Sequence, residues 1–519
     1  MKKAIYLIIA LIGLSAPSCS DSMLDFSPTD SGSGKELLKS ASTAITSVNG
    51  VYRSMWTAEW STTANTHQCF GIAAYNLALD CMADDLIMQS QGNGWFWGDH
   101  CYNVKSNYTS SAFRSYDVWY ANYKWIANVN YIIDAEPEMA GTEADVAYVA
   151  GQAYAIRALC YLNLATWFSR APYNSLTGAS RWNEPCVPVY TTGTSIDTGG
   201  QPRESLRTVY GRIDQDIDRA IELLEKARET TLAENNKSHI NLYVALGIKS
   251  RACLAEGDWD GAFKAAKRVI DEGGYAVGTK SDLTGGMNSL DKQNVMWGAG
   301  IQVADQAGGY AGFFTHMDNK EGAYAKSAPK LISKQLYNRI SATDIRRDWW
   351  DPSDKESPYV SKKFSFANVA SFLGDYIYMR VEEMYFTAAE AALRLDDLKS
   401  ARELMNTVMA ERDPGYSANN RSGTLLGATT TTWTGSFLEN ILTHRRIELW
   451  GEYGRLFDVR RLGQGIDRRT DDGFSEECIS MMNRRNVNIT KADTYDWVLT
   501  IPKAELDANP NINEEDQNP

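Results

Sequence analysis

Apolar residues recur at intervals of three and four positions through much of this chain, and that period limits what it can fold into. Leu37, Leu38, Ala41, Ala44, Ile45, Val48, Tyr52 and Met55 make one such run. A helix turns every 3.6 residues, so these side chains fall on one stripe that another element must cover. The same period predicts a helix over about 116–135, with Trp119, Tyr123, Ile126 and Asn130 on one face. Others follow over about 144–168 and 205–228, with a pair within 239–272. After a long irregular stretch the period returns over about 376–395, 398–412 and 436–452. Successive amphipathic helices cover one another, so the expected fold class is mainly all-α.

Two helix pairs resemble each other. Asp258, Trp259, Ala262 and Val269 stand at the same offsets as Asp397, Leu398, Ala401 and Val408, each set following an alanine-rich helix. Small residues so placed let antiparallel helices approach across a short turn, as in tetratricopeptide-type repeats. The expected architecture is a superhelical scaffold of helix hairpins. Segments 90–112, 170–203, 274–330, 351–374, 413–435 and 463–498 are instead rich in Gly, Ser, Thr, Asn and aromatics. Loops this long are uncommon in compact proteins unless they carry function.

The N-terminus constrains location. Lys2 and Lys3 precede an apolar run from Ala4 to Leu14, then come Ser15, Ala16, Ser18 and Cys19. A spanning helix needs roughly 20 apolar residues, so the run has the length of a secretory signal over 1–18. A cysteine directly after small residues resembles a bacterial lipobox, with Cys19 lipidated, although Ala16 stands where leucine is usual. A plain cleaved signal is the alternative. A net charge of −13 argues against a nucleic-acid partner, which needs a basic footprint. Beyond Cys19, the cysteines are Cys69, Cys81, Cys101, Cys160, Cys186, Cys253 and Cys478. An odd number spread this widely is no disulfide framework. Cys160 and Cys253 lie in helical patterns and read as small buried apolar residues. Without a CxxC pair or a histidine cluster, neither a zinc site nor any cofactor is expected.

The strongest candidate site is the loop from Ser90 to His100. Trp95, Phe96 and Trp97 are consecutive, and Gly92, Gly94 and Gly98 keep the backbone off a regular helix. An indole offers a flat apolar face to the C–H face of a sugar, while Asn93, Asp99 and His100 can bond hydroxyls. The competing reading has Trp95 and Trp97 anchoring the loop to the helices. A second glycine-aromatic segment, Gly309 to His316, offers Tyr310 and Phe314. Trp433, in a threonine-rich loop, is a weaker candidate.

Carboxylates raise the question of catalysis. Asp80, Asp84 and Asp85 cluster, and acid pairs held about 5–10 Å apart cleave glycosides. Asp84 is nevertheless read as a hydroxyl-binding or capping residue. Glu448 and Glu452 are spaced i, i+4, about 5–6 Å apart on a helix face, a retaining-glycosidase distance. Arg445, Arg446, Arg455, Arg460 and Arg461 crowd the same segment, and cations keep carboxylates ionised, removing the proton a general acid must give. A structural ion-pair network is the expectation. The five histidines stand apart, and HExxH, GxSxG, P-loop and GxGxxG signatures are absent. No enzyme is proposed by these residues.

Seven blocks in order resemble the SusD/RagB family of nutrient-binding outer-membrane lipoproteins. They begin with Cys19 followed by Leu24-Asp25, then Trp119, Tyr123, Ile126 and Asn130, then Gly151-Gln152-Ala153 with Arg157-Ala158. Leu336-Tyr337 with Asp344 and Arg346-Arg347 follows, and then Met379-Arg380-Val381-Glu382-Glu383-Met384-Tyr385 with Ala389-Glu390-Ala391. Arg445-Arg446-Ile447-Glu448-Leu449 with Glu452, Arg455 and Asp458 precedes an ending of Ile501-Pro502, Glu505 and Asn509-Pro510. Val381 replaces the usual alanine, and His444 stands where glutamate is common.

The resemblance implies four tetratricopeptide-like helix pairs beneath a loop-rich ligand face. It divides the chain into a lipoprotein signal peptide (1–18), a tether (19–35) and one helical domain (36–519) with insertions at about 274–374 and 413–498. It implies capture of an oligosaccharide or polysaccharide for a SusC-like TonB-dependent transporter, at the cell surface, with the lipid on Cys19 holding the protein to the outer membrane. In the starch-binding member of the family, aromatics on the loop after the first helices cradle sugar. Carried over by position, that bears on Trp95 and Trp97 alone. Arg380, Glu390, Arg446 and Glu448 become scaffold residues. A secreted glycoside hydrolase, a peptide or other nutrient binder, and a helical-repeat adaptor are the alternatives.

Overall fold

The computed structural model describes residues 34–57, 65–103, 112–195, 197–233, 237–302, 311–492 and 494–519. The expected signal, Cys19 and Tyr310 lie outside them. The described chain is mainly helical: α1 (Ala41–Ser54), α2 (Ile72–Met82), α3 (Phe113–Ala135), α4 (Glu143–Phe168), α5 (Leu206–Lys226), α6 (Leu242–Glu256) and α7 (Trp259–Glu272) are followed by α8 (Val381–Arg394), α9 (Leu398–Ala410), α10 (Phe437–Glu448), α11 (Arg455–Leu462) and α12 (Glu476–Arg484). Polar side chains fix many starts by accepting the otherwise orphaned N–H groups of the first turn. Thr142 accepts from Asp145, Ser205 from Thr208, and Asn241 from Tyr243 and Val244.

The internal repeat is structural. Asp258 and Asp397 are the N-caps of α7 and α9, each accepting from the backbone three residues on, Gly261 and Ser400, at 3.0 Å. The residue before each cap is left-handed, Gly257 at φ +77° and Asp396 at φ +61°. A left-handed residue ends one helix and turns the chain back for the next. Ala262 and Ala401 are buried at the crossing, as are Val269 and Val408. The hairpins α6–α7 and α8–α9 then stack, with Cys253, Leu254 and Ala262 of the first packing on Ala391 of the second.

Two elements depart from the periodic reading. The stretch expected as one helix over 376–395 begins as a strand. Tyr376–Arg380 pairs antiparallel with Val295–Ala299, and the helix starts only at Val381. From 376 to 393 strand and helix bury every position except Ile377 and Tyr385, so no stripe marks the change. Helix α2 escapes the periodicity for the same reason, because all but one of its eleven residues are buried. A small antiparallel sheet, in the order Leu86–Ile87, Leu331–Ile332, Val360–Ser361, Trp350–Asp351, joins the end of α2 to the central loops.

Asp80 on α2 accepts a hydrogen bond from the Arg455 N–H at 2.6 Å, while its other oxygen has no partner. Burial pushes its carboxyl from 3.8 up to about 8. The native state therefore keeps a proton that the unfolded chain releases near pH 4. Stability falls as pH rises between those values. Asp472, pushed up to about 7, and Glu256, to about 9, act in the same direction. Asp80→Asn keeps the site neutral. It is expected to remove one proton's share of the slope between pH 5 and pH 8, on the order of 3 kcal/mol, read from thermal melts across that range. An unchanged slope would show that Asp80 is ionised in the native protein.

Candidate functional site

The loop after Leu86–Ile87 divides its three aromatics. Phe96 adopts a left-handed conformation (φ +61°), rare for a side chain of that size. Its N–H donates to Gln68 Oε1 at 2.8 Å. With that twist both Phe96 and Trp97 turn into the core. Phe96 packs against Phe70 and edge-on to His316, and Trp97 is 3% exposed beside His100. Trp95 alone stays half-buried. It stacks on His67 with centroids 5.0 Å apart and meets Tyr324 edge-on at 6.1 Å. The Tyr324 hydroxyl lies 2.6 Å from His67 Nδ1. Burial keeps His316 neutral, so its ring carries one N–H, and Nε2, 2.6 Å from the His67 carbonyl, must be the donor. Asn93 and Gln91 are exposed on the glycine turn, with Asn93 accepting from Trp95 N–H at 3.3 Å.

The other expected ligand residues are placed elsewhere, and the expectation is corrected for them. Asp99 is fully buried and forms a two-pronged bond with Arg114, at 2.7 and 2.9 Å. His100 is fully buried, stacked on Phe474, with Nδ1 3.1 Å from the Cys81 carbonyl. Phe314 is 1% exposed among Phe313, Phe366 and Tyr376. Trp97 is the loop anchor of the competing reading. For all of these, covering apolar surface or satisfying a buried charge outweighs display to solvent. Trp433 is half-buried, with the Arg339 guanidinium 3.8 Å from its centroid and that of Arg446 at 5.5 Å.

Asp84 is likewise a scaffold group. Arg446 reaches it at 3.0 Å and Arg455 at 3.1 Å, and both also bind Asp85. Burial raises the Asp84 pKa, but Arg455 and Arg446 outweigh it and hold the carboxyl down to about 2. Glu448 receives Arg346 at 3.1 Å, Arg380 at 2.9 Å and Arg412 at 2.9 Å. Glu452 receives Arg380 at 2.7 Å and Lys363 at 2.5 Å. Against burial, these cations keep both carboxylates below the usual range. Neither holds a proton to donate to a leaving group. An ion-pair network forms as expected, but its cations come from distant segments. Arg445 and Arg461 turn to Asp458, and Arg461 also grips Glu390. The scattered motif residues Asp344, Arg346, Arg380, Glu382, Glu448 and Glu452 thus meet in one buried assembly.

Two partners of Trp95 were not singled out by sequence. His67 and Tyr324 lie 28 and 229 residues from it, and no spacing rule links positions so far apart. Only the glycine-aromatic composition near 90–98 was a usable signal.

Helix hairpins carrying irregular aromatic loops define a class of helical-repeat binding scaffold. Residues 326–519 match the SusD family model, and residues 75–254 match a model described as starch-binding, associating with outer membrane. The chain belongs to the SusD/RagB family. No curated protein matches it significantly. Among solved structures, a SusD-like carbohydrate binding protein from Bacteroides vulgatus is 24% identical, covering 92% of this chain and 98% of its own, with a TM-score of 0.72. A SusD superfamily protein from Bacteroides thetaiotaomicron is 22% identical over 92% and 100%, with a TM-score of 0.73. Surface glycan-binding protein A from Bacteroides thetaiotaomicron is 16% identical over 93% and 99%, with a TM-score of 0.64.

Proposed function

We propose that this protein is a non-catalytic glycan-capture lipoprotein of the outer membrane. Lipidated at Cys19 and exposed at the cell surface, it hands oligosaccharide to a SusC-like TonB-dependent transporter. The observation that carries the reading is Trp95, kept half-buried on a braced His67–Tyr324 cluster while both neighbouring rings enter the core. A pre-positioned indole loses little freedom on binding and offers its apolar face to a sugar, with Asn93 and Gln91 near for hydroxyls. The family descriptions and the glycan-binding names of proteins sharing the fold support the same class of ligand. The carboxylates whose spacing raised hydrolysis are tied to arginines, which supports binding without bond cleavage.

Calorimetry against soluble polysaccharides tests this. At least one is expected to bind, and Trp95→Ala is expected to weaken it ten-fold or more, which is about 1.4 kcal/mol, with the melting temperature little changed. Reducing-end release from the bound glycan, or an affinity indifferent to Trp95, would overturn the reading.

A further inference from the structure

A cavity of about 440 Å³ opens beside α3, away from Trp95. Its walls include Trp119, Tyr120, Tyr123 and Tyr190, with Thr198 and Glu505 at its edge. The volume is that of a small-molecule site. It begins five residues beyond Arg114, whose side chain holds the Trp95 loop through Asp99, and extends to Ala127. At 1.5 Å per residue it lies roughly 7 to 20 Å further along the helix axis.

The polar groups here are oriented but not exhausted. Tyr190 Oη accepts from the Gln201 N–H at 3.0 Å and Thr198 Oγ1 from the Ser195 N–H at 2.8 Å. Ser195 Oγ accepts from the Asp197 N–H at 3.2 Å. In each case the hydroxyl oxygen is fixed by backbone while its own proton remains to donate. Glu505 accepts one bond from Trp119 Nε1, at 3.2 Å, and one from Asn509, at 2.8 Å. An ionised carboxylate can accept about four, so acceptor capacity is left over. The Lys124 ammonium stands 5.8 Å from the Tyr120 ring centre. Trp119 and Tyr123 lie with centroids 4.8 Å apart, and Tyr190 meets Tyr123 edge-on at 5.9 Å.

Aromatic walls with several fixed hydroxyl donors and one carboxylate acceptor narrow the ligand class. A purely apolar ligand would strand those donors and the Glu505 carboxylate, each desolvated without a partner. A phosphate or nucleotide would find one ammonium and be repelled by Glu505. A polyhydroxylated ring satisfies both kinds of wall. We infer that this cavity is a second saccharide site, built by α3, Tyr190, Thr194, Ser195, Thr198 and Glu505, and independent of the Trp95 platform. Two sites on one chain would raise the apparent affinity for a long polymer through effective concentration, without stronger contact at either.

The test titrates maltoheptaose, cellohexaose, xylohexaose, mannohexaose and N-acetylchitohexaose into the full-length protein and into Trp95→Ala, Tyr120→Ala and Tyr190→Phe. Melting curves exclude variants that fail to fold, and Tyr190→Phe deletes only one hydroxyl. At least one oligosaccharide is expected to bind ten-fold more weakly to Tyr120→Ala and Tyr190→Phe, and to retain binding to Trp95→Ala. If no oligosaccharide responds to either cavity variant, the second site is wrong, whatever Trp95→Ala does. If the cavity variants respond and Trp95→Ala does not, the cavity stands and the Trp95 reading falls.

Discussion

Glu448→Leu is expected to destabilise the protein by at least about 3–5 kcal/mol, and to lower the yield of folded chain sharply. Three guanidiniums, from Arg346, Arg380 and Arg412, converge on this fully buried carboxylate. Removing it leaves their charge without compensation in a site closed to water. Breaking one member of a buried pair therefore costs far more than the pair contributes over an apolar replacement. Asp344, Glu382 and Glu452 share those cations, so some charge balance survives and the loss is not three-fold larger. Glu448→Gln keeps the shape but only one of the two acceptor oxygens and no charge, and is expected to fall between wild type and Glu448→Leu. Guanidinium chloride melts followed by circular dichroism measure both. A Glu448→Leu protein as stable as wild type would mean that these arginines find water or other partners. The pH dependence has a definite sign: a carboxylate held below its unfolded value near 4.5 stabilises the fold above that pH. The contribution disappears as pH falls toward the native value.

Asp99→Ala is expected to cost a similar amount, about 3–5 kcal/mol, and to leave the intrinsic glycan affinity of the folded protein close to wild type. Asp99 and Arg114 form a two-pronged pair with both side chains fully buried. The Arg114 guanidinium also donates to the Gln68 carbonyl at 3.0 Å, and Gln68 in turn accepts the Phe96 N–H. The pair thus fixes the base of the loop through Asp99 and Gln68 rather than through Trp95. The double variant Asp99→Ala/Arg114→Met removes the stranded cation and should recover a substantial part of the loss. A double-mutant cycle in urea reads that coupling. A large drop in affinity for Asp99→Ala at full folding, with little loss of stability, would return Asp99 to the ligand side.

These contrasts separate two roles that composition alone runs together. Trp95, Trp97, Asp99 and His100 all sit in one glycine-rich loop of the sequence, and chemistry alone made each a candidate for sugar. A buried Asp–Arg pair and an exposed Asp read identically in one dimension, because burial depends on what packs from elsewhere. Arg114 is fifteen residues away, and Phe474, which covers His100, is 374 residues away. Similarly, the nearby arginines of the 445–461 segment suggested the partners of Glu448. The structure supplies Arg346, Arg380 and Arg412 in their place, and sends Arg445, Arg446, Arg455 and Arg461 to Asp458, Asp84, Asp85 and Glu390.

What the chain determines locally was readable: the helical period of α1, α3, α4 and α5, and the repeat that turns α6 into α7 and α8 into α9. Each rests on interactions within a few residues, namely a 3.6-residue turn, an aspartate cap and a left-handed joint. The family blocks were readable too, because their order survives in one dimension. Tertiary structure alone decided that α2 is a helix with no polar face, that 376–380 is a strand, and which indole remains in contact with water. Those outcomes depend on which surfaces meet across hundreds of residues, where free energy follows area covered and charge compensated rather than spacing along the chain.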